Sequence, residues 1–194
     1  DLGLRNLDLL LGLENRIVYT IVDVVEERCK LKQALVKDKK NPNLCLLAAA
    51  QTRDKSALSA DQLKEICDTL KEDFDYVLVD CPAGIEQGFK NAIAGADEAL
   101  VVCTPEVSSV RDADRVIGLM AANEISKVNL IVNRIRPELV RSGDMLSVED
   151  VEDILGQKAI GAVRDDSTIV KSANLGEAVV NIPTSKAGKE YDNI

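Results

Sequence analysis

The sequence predicts an α/β fold with a doubly wound, mostly parallel sheet flanked by helices, and three observations carry this prediction. Short apolar runs alternate along the 194 residues with segments whose apolar residues recur at helical spacing. The runs are continuous, which is typical of strands covered on both faces. Aromatic residues are only 3% of the chain against 46% apolar residues. We therefore expect an aliphatic core within a single domain spanning residues 1–194.

The apolar runs are the predicted strands, and each is bounded by turn residues or by a helical segment. In chain order they cover 44–47, 76–80, 99–103, 128–132 and 159–163. Ligands of such sheets bind at the carboxyl ends of the strands. That rule singles out the residues that follow three of the runs, which are 80–84, 104–106 and 133–134.

Amphipathic helices are predicted between the strands. Ser59 and Gln62 have the spacing of a capping box, which opens a helix over 60–71. Ser147 and Asp150 resemble a weaker box at the start of another helix. Further helices are predicted over 85–94, from Ser108 or Ser109 to 123, over 148–155 and over 168–174.

Composition excludes several classes of site. The chain has no His, which removes His-based nucleophile systems and His-ligated metals. Its five Cys form no C-x-x-C pair, so free thiols in a reducing compartment are favoured over a zinc site or a disulfide framework. The net charge of −9 argues against an electrostatic grip on nucleic acid. No apolar run approaches the roughly 20 residues that span a bilayer.

Asp80 and Asn133 are the candidate site residues at strand ends. A carboxylate delivered by four apolar residues to the binding edge suits Mg²⁺, which prefers oxygen ligands and keeps its waters. The alternative is a cap for the next helix. The following Pro82 and Gly84 favour a phosphate site, because Gly lets a backbone N–H approach closely. The amide of Asn133 can both donate to and accept from a base edge, although residue type alone favours the alternative of a turn residue after a strand.

Two charged clusters complete the candidates. Asp1 and Asp8 lie in an opening stretch with a Gly and an Arg, where a carboxylate could orient an attacking water; an exposed polar loop is the alternative. A dense charged helix start covers 108–115, and ordinary solvated surface is its alternative. The chain opens with Asp1 and not Met, so we expect it to be a piece of a longer protein.

Together these stretches resemble the MinD family of ATPases, within the MinD/ParA group of deviant P-loop NTPases. The residues that carry the resemblance are Asp1-Leu-Gly-Leu-Arg-Asn-Leu-Asp in the first switch region, Asp80-Cys-Pro-Ala-Gly-Ile-Glu in the second, Thr104-Pro-Glu-Val-Ser-Ser-Val-Arg-Asp-Ala-Asp-Arg, and Gly143-Asp-Met-Leu-Ser. The first and third strings are more specific than the second, which fits the wider group.

The resemblance implies an ATPase that dimerises with ATP and uses Mg²⁺. Asp1 would orient the attacking water, and Asp80 would hold Mg²⁺ through water. The other roles that the resemblance implies are ATP binding by Gly84, Asn133, Arg134 and Asp165, the dimer interface at Glu86 and Glu106, and partner binding by Arg111, Asp112, Asp114 and Arg115.

The resemblance also implies partners and a location. The expected partners are a MinC-type division inhibitor, a MinE-type topological factor, and membrane lipid through a C-terminal helix that this sequence does not contain; no nucleic acid is expected. The protein would be cytoplasmic and peripheral on the inner membrane face, with a plastid stroma as the alternative.

The sequence departs from the family pattern in two further ways. It contains no G-x-x-x-x-G-K-[ST] loop, so we expect this chain alone to be inactive and the full-length parent to be the ATPase. Arg164 stands where the family usually has Pro, near the expected base pocket. Two alternative functions stay open, a ParA-type partitioning ATPase and a non-catalytic interaction fragment.

Overall fold

The structure is a computed structural model that describes residues 6–50 and 58–194. Contacts divide it into two units, which we call unit 1 and unit 2. Unit 1 comprises the residues up to Ala96 together with Leu175–Glu177, and unit 2 comprises Asp97–Asn174 with Ala178–Ile194.

Unit 1 contains short helices and one pair of strands. Residues 35–47 form an antiparallel hairpin in which Val36 lies opposite Leu46. The elements are α1 (Leu7–Leu10), a 3₁₀ turn (Glu14–Arg16), α2 (Ile21–Val25), α3 (Leu31–Ala34), β1 (Leu35–Lys37), β2 (Cys45–Leu47), α4 (Ala60–Leu70) and α5 (Gln87–Ile93).

The capping box predicted for α4 is confirmed. The Ser59 hydroxyl accepts from the Gln62 N–H at 3.2 Å, and the Gln62 side chain accepts from the Ser59 N–H at 2.9 Å. Both bonds satisfy donors that a helix start otherwise leaves unpaired. The apolar face of α4 then packs with α2, and this cluster includes Val22, Leu63 and Cys67.

The strand predicted over 76–80 is wrong for this structure. Within residues 6–50 and 58–194, no strand pairs with this segment, and an extended run becomes a strand only through a ladder with a neighbour. Tyr76 and Leu78 are each 86% exposed, whereas Val77 and Val79 pack against the α2–α4 cluster. A cavity of about 900 Å³ lies between this segment and β2.

Unit 2 contains the parallel sheet that the sequence predicts. The strands β3 (Ala99–Cys103), β4 (Val128–Ile135) and β5 (Ala159–Arg164) are parallel and adjacent in that order. The remaining elements are α6 (Val107–Ala122), α7 (Pro137–Ser142), α8 (Val148–Leu155), α9 (Ser167–Asn174), a 3₁₀ turn (Val179–Asn181) and α10 (Lys186–Asp192). The predicted α/β fold class is confirmed.

Coverage of this sheet differs from strand to strand. On β4, Val132 packs on one face with α6 and α8, and Ile131 packs on the other face with Ala187 of α10. On β3, by contrast, Leu100 and Val102 are 52% and 54% exposed. The expectation of two covered faces is therefore wrong for β3, whose continuous apolar run has an alternating burial pattern.

Two helix starts can be compared with their predictions. The Ser147–Asp150 box at α8 is confirmed, with the Ser147 hydroxyl accepting from the Asp150 N–H at 3.0 Å. The predicted serine cap of α6 is wrong, because the N-cap is Glu106. The Ser109 hydroxyl accepts from the Thr104 N–H instead, at 3.0 Å. In the described ranges, none of the helices is both long and apolar enough to cross a membrane.

Candidate functional site

The carboxyl end of β4 carries a local break in the sheet. The pairing with β5 shifts between Val132 and Ile135, and Arg134 adopts a φ of +58°. A left-handed backbone is uncommon for a residue with a side chain, and such strain concentrates at functional sites. The Asn133 Oδ1 accepts from the Arg134 N–H at 2.8 Å, which fixes the amide over the break.

Asp165 lies beside this break at the end of β5. Its N–H donates to the Ile135 carbonyl at 2.8 Å. Its carboxylate lies 3.8 Å from the Arg134 Nε and 3.5 Å from the Arg136 Nε. These ion pairs are exposed and therefore weak. The resemblance implied ATP binding by three residues of unit 2, and these lie together at the carboxyl edge of the sheet: Asn133, Arg134 and Asp165.

Helix α10 contributes a residue that the sequence analysis missed. The Tyr191 hydroxyl donates to the Asn133 Oδ1 at 3.1 Å. Its ring packs with the buried side chains of Ile131, Val163 and Ala187. The signal that could have located this helix is Ser185, its N-cap, whose hydroxyl accepts from the Gly188 N–H at 2.9 Å.

Asp166 ties α10 to the end of β5. Its carboxylate accepts from the Thr168 N–H at 2.8 Å, from the Ser185 hydroxyl at 3.0 Å and from the Ala187 N–H at 3.3 Å. Hydrogen bonds to an ionised carboxylate favour the ionised form. These bonds, that of Thr168 foremost, hold the pKa of Asp166 well below its usual range.

Arg164, at a position where the resemblance leads us to expect proline, makes a second attachment to α10. Its N–H donates to one carboxylate oxygen of Glu190 at 2.8 Å, and its Nε donates to the other at 2.5 Å. A proline has no N–H to donate. The arginine therefore supplies two bonds here, of which proline could make neither.

In unit 1, the loop after residues 76–80 carries the other predicted ligands. Asp80 is exposed. Gly84 has a φ of +91°, a left-handed conformation that favours glycine, although the space where a Cβ would stand is open. Pro82 packs closely on Gly88 of α5, where an added Cβ would lie 2.7 Å from the proline Cγ. This contact anchors the loop on the helix.

The exposed carboxylate of Asp80 is of the kind that binds a hydrated metal. No group of three or more acidic, Cys or His side chains that could enclose a metal occurs in residues 6–50 and 58–194. Mg²⁺ commonly binds one or two carboxylates and takes its other ligands from water and phosphate, and Asp80 fits that role. Partial desolvation raises the pKa of the neighbouring Cys81 thiol, which does not favour a reactive thiolate.

The remaining predicted residues lie at helix starts and on one helix surface. Glu86 is the N-cap of α5 and Glu106 that of α6, and both are exposed. On α6 the buried positions include Val110, Ala113 and Met120. The four predicted partner-binding residues are all exposed on that helix: Arg111, Asp112, Asp114 and Arg115.

Asp1 lies outside the described residues. Asp8, from the same opening cluster, lies in α1 and is 1% exposed, so it is not part of an exposed polar loop. The other candidates fall into two sets. Unit 1 holds Asp80, Gly84 and Glu86, and unit 2 holds Asn133, Arg134, Asp165, Glu106 and the α6 residues.

Comparison with known sequences gives consistent matches. Residues 5–139 match the model of an AAA domain family. The septum site-determining protein MinD of Synechocystis sp. is 58% identical over 195 residues, which cover 100% of this chain and 73% of that protein.

Solved structures agree with the sequence matches. The MinC:MinD cell division protein complex of Aquifex aeolicus matches with a TM-score of 0.91 and 45% identity, over 99% of this chain and 77% of that chain. MinD complexed with Mg-ADP from Pyrococcus horikoshii matches with a TM-score of 0.86 and 26% identity, over 100% and 78% of the respective chains. On the strength of this identity along its whole length, the chain belongs to the MinD family of septum site-determining proteins.

Proposed function

We propose that residues 1–194 form part of the ATPase domain of a protein that dimerises with ATP and selects the cell-division site. The observation that carries this proposal is the grouping of Asn133, Arg134 and Asp165 on a strained break at the carboxyl edge of the sheet. This is the edge at which open α/β sheets bind ligands. The Pyrococcus horikoshii relative complexed with Mg-ADP supports a nucleotide as the ligand.

In unit 1, we assign the phosphate and metal roles to Asp80 and the loop that follows it. Asp80 would hold Mg²⁺ through water, and Gly84 would present its backbone to the γ-phosphate. When bound, Mg²⁺ neutralises charge that develops on the transferred phosphoryl group. Asp1 would orient the attacking water, as the resemblance implies.

Dimerisation and partner binding are assigned to exposed helix starts and to α6. Glu86 and Glu106 would lie at the interface between two ATP-bound copies, and both are exposed N-caps. The exposed residues Arg111, Asp112, Asp114 and Arg115 would form the face of α6 that binds a MinC-type inhibitor and a MinE-type factor. The MinC:MinD complex of Aquifex aeolicus supports the first of these partners.

We further propose that the complete protein is cytoplasmic or stromal and peripheral on a membrane. Lipid binding would come from a C-terminal amphipathic helix outside these 194 residues. The net charge of −9 argues against a ParA-type partitioning role, because that role depends on a basic surface that binds nucleic acid.

Nucleotide binding by the complete protein tests the proposal. Fluorescent ATP with Mg²⁺ should bind the wild type, and Asn133→Ala should weaken binding about 2- to 10-fold, the usual range for one net hydrogen bond. Asn129→Ala, on the same strand, is the matched control and should bind as the wild type does. Size-exclusion chromatography with ATP should show a dimer. No ATP binding by the wild type would refute the proposal.

A further inference from the structure

The side-chain oxygen of Asn133 has two hydrogen-bond donors inside the protein. The Arg134 N–H lies 2.8 Å from it, and the Tyr191 hydroxyl lies 3.1 Å from it. A backbone N–H can only donate, so the amide atom that faces it is the oxygen Oδ1. The tyrosine must then donate as well, because the atom it faces is an acceptor.

This arrangement decides what Asn133 can offer a ligand. An amide oxygen has two lone pairs, and here both are used. Only the two N–H groups on Nδ2 are left over. We propose that Tyr191 is a positioning residue that holds Asn133 as a hydrogen-bond donor, and not an acceptor, toward a ring nitrogen of the purine base; this rests on the proposed ATP binding.

The tyrosine itself is held firmly. Its ring packs in the cluster that includes Val163 and Ala187, both 0% exposed. Helix α10 is tied to the end of β5 by the hydrogen bonds of Asp166 and by the pair between Arg164 and Glu190. The hydroxyl is therefore placed by the hydrogen bonds that Asp166 and Arg164 make to α10.

A donor-only amide recognises a base differently from a free one. A free Asn side chain pairs with adenine by accepting from the 6-amino group and donating to N7. With its oxygen occupied, Asn133 cannot accept from the 6-amino group. It can still donate to N1, N3 or N7, which are acceptors on the adenine ring. Asn133 therefore forms a hydrogen bond with a ring nitrogen of adenine and none with the 6-amino group.

Binding of ATP analogues to the complete protein tests this directly. The analogues are the 1-deaza, 3-deaza and 7-deaza forms of ATP, each lacking one acceptor nitrogen, and purine riboside triphosphate, which lacks the 6-amino group. One deaza analogue should bind the wild type about 2- to 10-fold more weakly than ATP. Asn133→Ala should bind ATP and that analogue equally. Relative to the wild type, Asn133→Ala should lose affinity by the same factor for ATP and for purine riboside triphosphate.

Tyr191→Phe then tests the positioning role. Removing the hydroxyl releases one of the two bonds that orient the amide, so the preference for ATP over the weak deaza analogue should fall toward one. In an Asn133→Ala background the same change should have no further effect on the ratio. Tyr76→Phe makes the identical chemical change at an 86% exposed tyrosine and should leave the ratio unchanged. Asn133→Asp, which keeps the oxygens but lacks the donor, should lose the preference as Asn133→Ala does.

The outcomes separate this inference from the proposed function. A Tyr191→Phe protein with a lower melting temperature and an unchanged ATP-to-analogue ratio would show a merely structural tyrosine and overturn the inference. Equal binding of ATP and all three deaza analogues by the wild type would also overturn it, while ATP binding would stand. In the ligand-free complete protein, the side-chain amide signals of Asn133 in NMR should shift on Tyr191→Phe, and unchanged signals would count against the hydrogen bond.

Discussion

At the scale of single residues, Asp166 is the carboxylate with the clearest electrostatic consequence. Its pKa is held below the ordinary value of 3.8 because the folded state donates hydrogen bonds to it, chiefly from Thr168. A carboxyl with a lowered folded-state pKa stabilises the fold above its unfolded pKa. That stabilisation is lost as the pH falls through 3.8 and toward the folded-state value.

Asp166→Asn should therefore flatten the acid dependence of stability. We expect the melting temperature of the wild type to fall more steeply between pH 5 and pH 2.5 than that of the variant, a range that brackets the ordinary value. Asp153→Asn, at an exposed position of α8, is the control and should follow the wild type. Identical pH profiles for the wild type and Asp166→Asn would refute the assigned role. Circular dichroism melts across this range make the measurement.

Asp80 and Asp1 should separate nucleotide binding from chemistry in the complete protein. Asp80→Asn removes a Mg²⁺ ligand and should weaken binding of Mg-ATP and dimerisation. Asp1→Ala removes the residue proposed to orient water, so it should leave binding intact and trap the ATP-bound dimer. Nucleotide binding, size-exclusion chromatography and phosphate release measure the three properties. Equal binding defects in the two variants would contradict these roles.

At the scale of elements, α6 divides its surface between the core and solvent. Val110, Ala113 and Met120 are buried, while the charged residues near its start are exposed. Arg111 and Asp114 are three residues apart and therefore adjacent on the helix. Exposed positions of this kind tolerate substitution within about 0.5 kcal/mol of stability, so a functional effect there can be read without loss of folding.

Arg111→Ala tests whether this surface binds partners. In the complete protein we expect basal ATPase activity and lipid binding to be retained. Recruitment of a MinC-type inhibitor or stimulation by a MinE-type factor should be lost, because arginine is frequent among interface hot spots whose truncation costs about 2 kcal/mol or more. Arg141→Ala, an exposed arginine on α7, is the matched control. Pull-downs measure recruitment, and ATPase assays with lipid vesicles measure stimulation. Wild-type recruitment and wild-type stimulation in Arg111→Ala would show that this part of α6 is ordinary solvated surface.

At the scale of the whole molecule, the 194-residue sequence lacks the loop that binds the β- and γ-phosphates in P-loop enzymes. Such a loop supplies backbone N–H groups and a lysine, and the loss of even one comparable donor costs about 10²–10³ in rate. We therefore expect the isolated chain to hydrolyse no ATP. Steady-state phosphate release with Mg-ATP above the background of a no-protein control would contradict this.

Features that depend on neighbouring residues along the chain could be predicted from the amino-acid sequence. The helix of Ser59 and Gln62, the helix of Ser147 and Asp150, and the strand over 99–103 follow from spacing and apolar runs, and the structure contains all three. The family also follows from sequence, because its motifs are contiguous strings.

Features that depend on residues far apart along the chain became visible only in the folded molecule. Residues 76–80 read as a strand, but a strand requires a paired neighbour, and none of the described strands pairs with them. From the sequence, the amide of Asn133 could both donate and accept. In the structure its oxygen already accepts from the hydroxyl of Tyr191, which is 58 residues away along the chain. Asp166 likewise receives its bond from Ser185 across 19 residues. Hydrogen bonds over such separations form only when packing brings the elements together. A local sequence pattern therefore cannot predict them.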